Sequence, residues 1–216
     1  MFEYEGTAAA LIAAGTKLFA RRGYDGTSVR EITRRAGANV AAVGYHFGSK
    51  EGLWLAVLEA GLRPLREAIA GAAARPGPAL DRIEGAVRAM FGHVREHADL
   101  NGLMLHVLAS APPLPEPALR TMQLNSTTMR ALIEAGQAEG TIGPGDPRLL
   151  ALSVASQPMA VLLARPALEG GAGIPLDGGE AFDRLVENAV RFVRSGLAVD
   201  PAADTARRSR GKKGTR

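Results

Sequence analysis

The sequence predicts an all-α chain of about nine helices. Apolar residues recur at i, i+3, i+4 and i+7 along most of its 216 residues, the spacing of one helix face, and no run alternates apolar and polar residues as a half-buried strand would. Glycine, proline, serine, asparagine and aspartate punctuate the breaks between those runs, where helices need caps and stops.

The first predicted helix is 7–22, "TAAALIAAGTKLFARR", with Leu11, Ala14, Leu18 and Phe19 on one face. Gly23 stops it, and "GYDGT" reads as a turn. Ser28 stands three residues before Glu31, the pattern in which each side chain satisfies the other's exposed amide at a helix start. A helix Val29–Ala36 follows, expected to bury Val29, Ile32 and Ala36. Gly37 suits a left-handed C-cap, and Asn39 suits the N-cap of a short helix, Val40–His46. Ser49 then caps a long helix over 51–74, expected to bend where Pro64 removes a backbone donor.

Pro78 and Asp81 open a helix reaching about residue 97, and Leu100–Ser110 makes another, ended by "APPLPEP". Helices over 117–139 and 147–164 are separated by "GTIGPGD". After the glycine-rich "EGGAGIPLDGG", read as a flexible connection, a last helix covers 180–198. The expected domains are 1–50, three helices around a turn; 51–200, a helical remainder; and 201–216, a basic disordered tail.

Composition narrows the function. There is no cysteine, which excludes disulfides, thiolate metal sites and cysteine nucleophiles. No run comes near the roughly 18 apolar residues of a membrane span, and "MFEYEGT" lacks the basic start of a secretory signal. The expected location is therefore cytoplasmic, with no membrane partner. The formal charge is +4, yet residues 207–216, "RRSRGKKGTR", carry six bases and no acid. The rest of the chain is slightly acidic, so the high pI belongs to a solvated tail. A second basic concentration lies inside the fold, where Arg21, Arg22, Arg30, Arg34, Arg35 and Lys50 face only Asp25 and Glu31 in sequence. That is a modest footprint for a polyanion.

Two helices joined by a glycine turn, with a third before them, make a helix-turn-helix unit. The second short helix is built of small residues and presents Val40, Ala41, Gly44 and Tyr45, with Val43 and Phe47 as anchors. Small side chains let the backbone approach base edges, Asn39 can bond a base or a phosphate, and Tyr45, His46 and Lys50 suit phosphates. Ser28 sits at a helix N-terminus, whose amides and dipole favour an anion. The segment "TSVREITRRAGANVAAVGYHFGSKEGLWLAVL" resembles the DNA-binding domain of TetR-family transcriptional regulators. The resemblance rests on its Thr-Ser start, Ile32, Ala36-Gly37, the Tyr-His-Phe ending and Ser-Lys-Glu-x-Leu. With the first helix it covers residues 7 to about 54.

The resemblance implies a phosphate contact from Ser28, groove contacts from Val40, Ala41 and Gly44, and phosphate contacts from Tyr45, His46 and Lys50. Gly44 departs from the pattern, because relatives commonly carry a tyrosine or asparagine there that touches DNA. Base readout is then expected to rest on its neighbours or on DNA shape. Further along, "DPRLLALSVASQPMAVLLARPAL" is similar to the C-terminal region of the CecR-like branch, repressors tied to drug and toxic-compound responses. The family resemblance implies a double-stranded DNA operator, a homodimer built on a four-helix interface, and a C-terminal pocket for a small effector.

The expected activity is thus regulation of transcription, as a repressor released from a palindromic operator by a small apolar effector. Candidate pocket residues are Trp54, Leu58, Leu62, Met90, Phe91, Leu103, Met104, Val107, Met122, Met129, Met159 and Leu163, bulky and adaptable apolar groups. His106 and Gln157 are polar residues in apolar helices that can orient a ligand. The expected dimer face is Leu149, Leu152, Val154, Ala155 and Leu162, with Phe182, Leu185, Val186, Ala189, Phe192 and Val193. An alternative is a DNA-bound structural or co-regulatory dimer with no small ligand, favoured if the core is closed. No enzyme activity, cofactor or metal is expected: His93 and His97 share a helix face, but "HVREH" lacks a glutamate directly after its first histidine.

Overall fold

The computed structural model describes residues 4–109, 113–171 and 179–199. Among the described residues there are nine helices and no strand: α1 (Gly6–Arg22), α2 (Val29–Ala36), α3 (Ala41–Phe47), α4 (Lys50–Ala73), α5 (Ala79–Glu96), α6 (Ala98–Ala109), α7 (Glu116–Glu139), α8 (Pro147–Gly170) and α9 (Gly179–Leu197). The expected all-α architecture is what the chain adopts. One end departs clearly from expectation, since α8 continues six residues beyond residue 164, and α4 is a single long helix with Pro64 inside it, as expected. The basic tail 201–216 and most of the glycine-rich connection lie outside the described residues.

Local signals set the helix ends as the sequence foresees. Gly23 ends α1 with positive φ, its N–H donating to the Phe19 carbonyl at 2.9 Å. Gly37 ends α2 in the left-handed conformation, φ 64° and ψ 29°, which a side chain would strain. Ser49 Oγ accepts from Gly52 N at 3.0 Å and caps α4. Asp146 does the same for α8, accepting from Arg148 N at 2.9 Å with Pro147 at the first helical position.

Compactness divides the chain into two units, residues 1–67 with 92–124, and residues 68–91 with 125–216. The helix-turn-helix shares its unit with most of α4, with α6 and with the start of α7. Leu11, Phe19, Ile32, Val43, Leu53, Leu58, Leu62, Leu100, Leu103 and Val107 form one buried cluster in that unit. Burial of each such side chain contributes about 1.5–3 kcal/mol. Gly102 lets α6 approach α1 closely, since an added Cβ would sit 3.1 Å from the Ala20 carbonyl oxygen. Arg66 on α4 pairs with Glu59 and donates to Thr121 Oγ1 on α7 at 2.8 Å.

In the other unit, Ile69, Ile83, Val87, Phe91, Met129, Ile133, Phe182, Val190 and Val193 are buried. Phe182 of α9 meets Phe91 of α5 edge-on, with centroids 6.4 Å apart. The start of α5 is held by α7, Ala79 N donating to Glu139 Oε2 at 3.1 Å. Arg88 reaches Glu187, and Arg194 reaches Asp81 and Glu84, so α9 is tied to α5 by charge as well.

Packing divides the apolar residues of α8 and α9 between a buried and an exposed side. Of the expected dimer face, Val154, Leu162, Phe182, Ala189 and Val193 are buried within the chain's own core. Leu149, Leu152 and Phe192 are each 64% exposed, and Leu163, expected in the pocket, is exposed as well. Residues on both sides of an apolar helix look alike in sequence, and only packing separates the faces. For the same reason Pro147–Arg165 is long and apolar enough to cross a membrane by length and composition, contrary to the expectation that no run comes near it. The stretch is apolar on a core side and an outer side at once.

Candidate nucleic-acid interface

The site is built on α2 and α3. Ser28 and Glu31 form the foreseen reciprocal cap: Glu31 N donates to Ser28 Oγ at 3.2 Å, while Ser28 N and Oγ donate to Glu31 Oε2 at 3.1 and 2.9 Å. Arg22 adds a bond to the other carboxylate oxygen at 2.6 Å. The Ser28 hydroxyl and amide, then Arg22, hold the Glu31 carboxyl below its ordinary pKa, so the cap stays charged at neutral pH. Ile32 is fully buried, and Thr33 is buried with its hydroxyl donating to the Val29 carbonyl at 3.0 Å. Val29 and Ala36 are only half-buried.

Asn39 Oδ1 accepts from Ala41 N at 2.9 Å, which starts α3 and leaves its amide nitrogen for other partners. Val43 is buried and Phe47 half-buried, one helical turn apart, and they pin α3 to the core. The opposite face carries Val40, Ala41, Gly44 and Tyr45, all exposed, Tyr45 to 85%. His46 is exposed and meets the Tyr45 ring edge-on at 4.9 Å. A Cβ added at Gly44 would meet nothing within 4 Å. The segment is therefore an anchored helix that offers a bare, small-residue surface ending in an aromatic pair.

Lys50 is half-buried, with Nζ 4.2 Å from the centroid of the Tyr24 ring, a cation–π arrangement. Tyr24 in turn packs on Phe19 at 6.1 Å and on Trp54 at 5.6 Å. Burial, then Glu51 and Asp25, raises the Tyr24 pKa, so the phenol stays neutral under its cation. Sequence reasoning missed Tyr24; its spacing from Phe19 and the lysine beyond α3 gave no signal, because the contact joins a turn to another helix. It also missed Gly52. A Cβ there would lie 1.9 Å from the Phe47 carbonyl oxygen, so this glycine lets α4 start against the end of α3.

The candidate effector residues are divided between the two units. Trp54, Leu58, Leu62, Leu103 and Val107 are close-packed members of the helix-turn-helix unit's core, with Trp54 edge-on to Phe19 at 4.9 Å and Met104 half-buried against them. Met90, Phe91 and Met129 are buried in the other unit. Met122 and His106 are exposed, His106 lying against the Gly23 turn. Gln157 is half-buried and donates to the Ser153 carbonyl at 3.2 Å, and Met159 is half-buried. Clefts of about 340 and 400 Å³ are present among the described residues, one lined by Ala73, Arg82, Thr127, Thr128, Ala131 and Leu132, the other by Leu18, Arg21, Arg22, Glu31, Arg34 and Arg35. None of the candidates lines either.

His93 and His97 stack at 4.2 Å, and His97 Nδ1 lies 3.1 Å from the His93 carbonyl. His93 is 8% exposed, and its Nε2 has no hydrogen-bond partner among the described residues. Burial, then the neighbouring His97, lowers its pKa to about 4. No group of three or more potential ligands for a metal occurs among the described residues.

A capped helix, a left-handed glycine turn and an anchored helix with a bare outer face define a helix-turn-helix DNA-binding protein. Residues 11–57 match the family described as "Bacterial regulatory proteins, tetR family". The chain is 26% identical to the transcriptional regulator RutR of Escherichia coli over 196 residues, 87% of this chain and 89% of RutR. It is 27% identical over 191 residues to FasR, a transcriptional activator of Mycolicibacterium smegmatis, covering 88% of this chain and 83% of FasR. Its fold is also that of FadR from Bacillus subtilis, solved with stearoyl-CoA, at a TM-score of 0.74 and 15% identity over 87% of this chain and 98% of that one. Residues 11–57 thus carry the DNA-binding domain of the tetR family of bacterial regulatory proteins.

Proposed function

We propose that the protein works as a homodimer that sets α3 of each copy into successive major grooves of a near-palindromic operator. The observation that carries this reading is the outer face of α3, exposed and nearly bare at Val40, Ala41 and Gly44 while Val43 anchors the helix from behind. In the docked complex Val40, Ala41 and Gly44 approach base edges, and Ser28, Asn39, Tyr45, His46 and Lys50 hold phosphates. Arg30, exposed in the first turn of α2 two residues from Ser28, is a further phosphate-binding candidate. One short helix reads few base pairs, so two related by a dyad supply the specificity a genome demands. The exposed Leu149, Leu152, Leu163 and Phe192 supply the self-complementary apolar surface. Selection of bound fragments from a random DNA pool tests the reading directly: a near-palindrome is the expected result, and unrelated sequences without dyad symmetry would reject it.

Regulation by a small apolar effector, releasing the protein as a repressor, completes the proposal. A ligand releases DNA only by binding the DNA-incompetent state more tightly, and a hundredfold loss of affinity needs about 2.7 kcal/mol of differential binding. Because FadR was solved with stearoyl-CoA, acyl-CoA thioesters are the first compounds to titrate against the protein–DNA complex. The likeness of residues 146–168 to the CecR-like branch puts drug-like compounds second. The close-packed state of Trp54, Leu58, Leu62, Leu103 and Val107 favours the other reading, a regulator that acts without a small ligand. A compound that binds and shifts DNA affinity decides for the first.

A further inference from the structure

The cleft between α1 and α2 is lined by two rows of side chains with the same spacing: Leu18, Arg21 and Arg22 on α1, and Glu31, Arg34 and Arg35 on α2. Each row is one helix face, so the cleft brings four guanidiniums and one carboxylate together, a local excess of three positive charges. Glu31 is already committed, accepting from Ser28 N, Ser28 Oγ and Arg22. Arg21, Arg34 and Arg35 are exposed, and their side chains make no ion pair or hydrogen bond with any described side chain. Basic residues in the last turn of a helix are favourable in themselves, by about 0.3–1 kcal/mol, and that accounts for arginines at the ends of α1 and α2. It does not account for both pairs converging on one concave surface whose single carboxylate, Glu31, is already taken up by Arg22 and Ser28.

We propose that this cleft binds a phosphate oxyanion through Arg21, Arg34 and Arg35. Guanidiniums present paired donors that match phosphate oxygens bidentately, and a concave wall of one sign concentrates such an anion. At about 400 Å³ the cleft admits a di- or triphosphate group as readily as a single phosphate. The same chemistry comes from two sources, a free phosphorylated compound or the backbone of bound nucleic acid. This inference stands on the cleft alone, and does not rest on α3 reading the major groove.

The test compares the full chain with the Arg21→Gln/Arg34→Gln/Arg35→Gln variant, both keeping the basic C-terminal residues so that their contribution cancels. Sodium tripolyphosphate is titrated into each by calorimetry at low salt, and a short duplex without an operator is followed by anisotropy across a salt series. Binding of tripolyphosphate to the parent with at least about tenfold weakening in the variant, and unchanged duplex binding, supports a free phosphorylated ligand. A duplex salt slope reduced by about 0.9 for each phosphate no longer neutralised supports the backbone as the source. Identical behaviour of the two proteins in both titrations overturns the proposal. All three arginines are exposed, so the variant is expected to fold, with circular dichroism as the check. The Arg34→Lys/Arg35→Lys variant keeps charge but not bidentate geometry, and should weaken tripolyphosphate binding while leaving the salt slope near the parent value.

Discussion

Replacing Gly52 by alanine tests how the reading helix is held. The added Cβ would lie 1.9 Å from the Phe47 carbonyl oxygen and 3.1 Å from its carbonyl carbon. An ordinary carbon–oxygen approach is about 3.3–3.6 Å, so the start of α4 and the end of α3 must separate by well over an ångström. Backbone, not a flexible side chain, has to give. Overpacking of that kind costs about 1–3 kcal/mol, and here it falls on the segment that carries Tyr45, His46 and Lys50. The expected outcome is a lower urea midpoint, followed through the single tryptophan, Trp54, which is buried against Phe19 and Tyr24. Operator affinity should fall about tenfold or more, since a misplacement of about 1 Å spoils hydrogen-bond geometry. Gly44→Ala is the matched control. Its Cβ meets nothing within 4 Å, so the same substitution eight residues earlier should stabilise the protein by about 0.5–1 kcal/mol through helix propensity. Equal midpoints and equal DNA affinity for Gly52→Ala and the parent would refute the claim that α4 and α3 meet through this glycine.

Other consequences are measurable with the same tools. Lys50→Ala should weaken binding to operator and to unrelated duplex by similar factors and lower the salt slope by about 1, whereas substitutions at Val40 or Ala41 should change which sequences are selected. Leu152→Glu should convert the dimer to monomer in light scattering, because the side chain is 64% exposed in the single chain and its replacement costs the fold little. His93 has a pKa lowered from 6.5 to about 4 by burial and by His97. The folded state thus favours the neutral ring, and the stability this contributes is present above about pH 6.5 and lost as pH falls towards 4. Urea midpoints at about pH 7 and about pH 5, on either side of the ordinary histidine pKa, should differ for the parent, and His93→Leu should narrow that difference; an unchanged gap would exclude His93 as its source.

Much of the helix-turn-helix is legible in the chain because its signals are local. The Ser28–Glu31 cap, the left-handed Gly37, the Asn39 and Ser49 caps and the spacings of Leu11 with Ala14 and of Val43 with Phe47 each act within about one turn of helix, where sequence neighbours are spatial neighbours. The sequence alone therefore settles the helix order, the turn between α2 and α3, and the small residues left on the outer face of α3. What it leaves open depends on which remote segment comes to rest against a residue. Val154 and Leu152 are two positions apart on α8 and equally apolar, yet one is buried and the other 64% exposed. Trp54 reads as a pocket wall until Phe19 and Tyr24 close on it. Arg21 and Arg35 lie fourteen positions apart and become the two sides of one charged cleft. Periodicity says that a helix has an apolar side; the free energy of burial belongs to whatever covers that side, and only the tertiary structure decides what does.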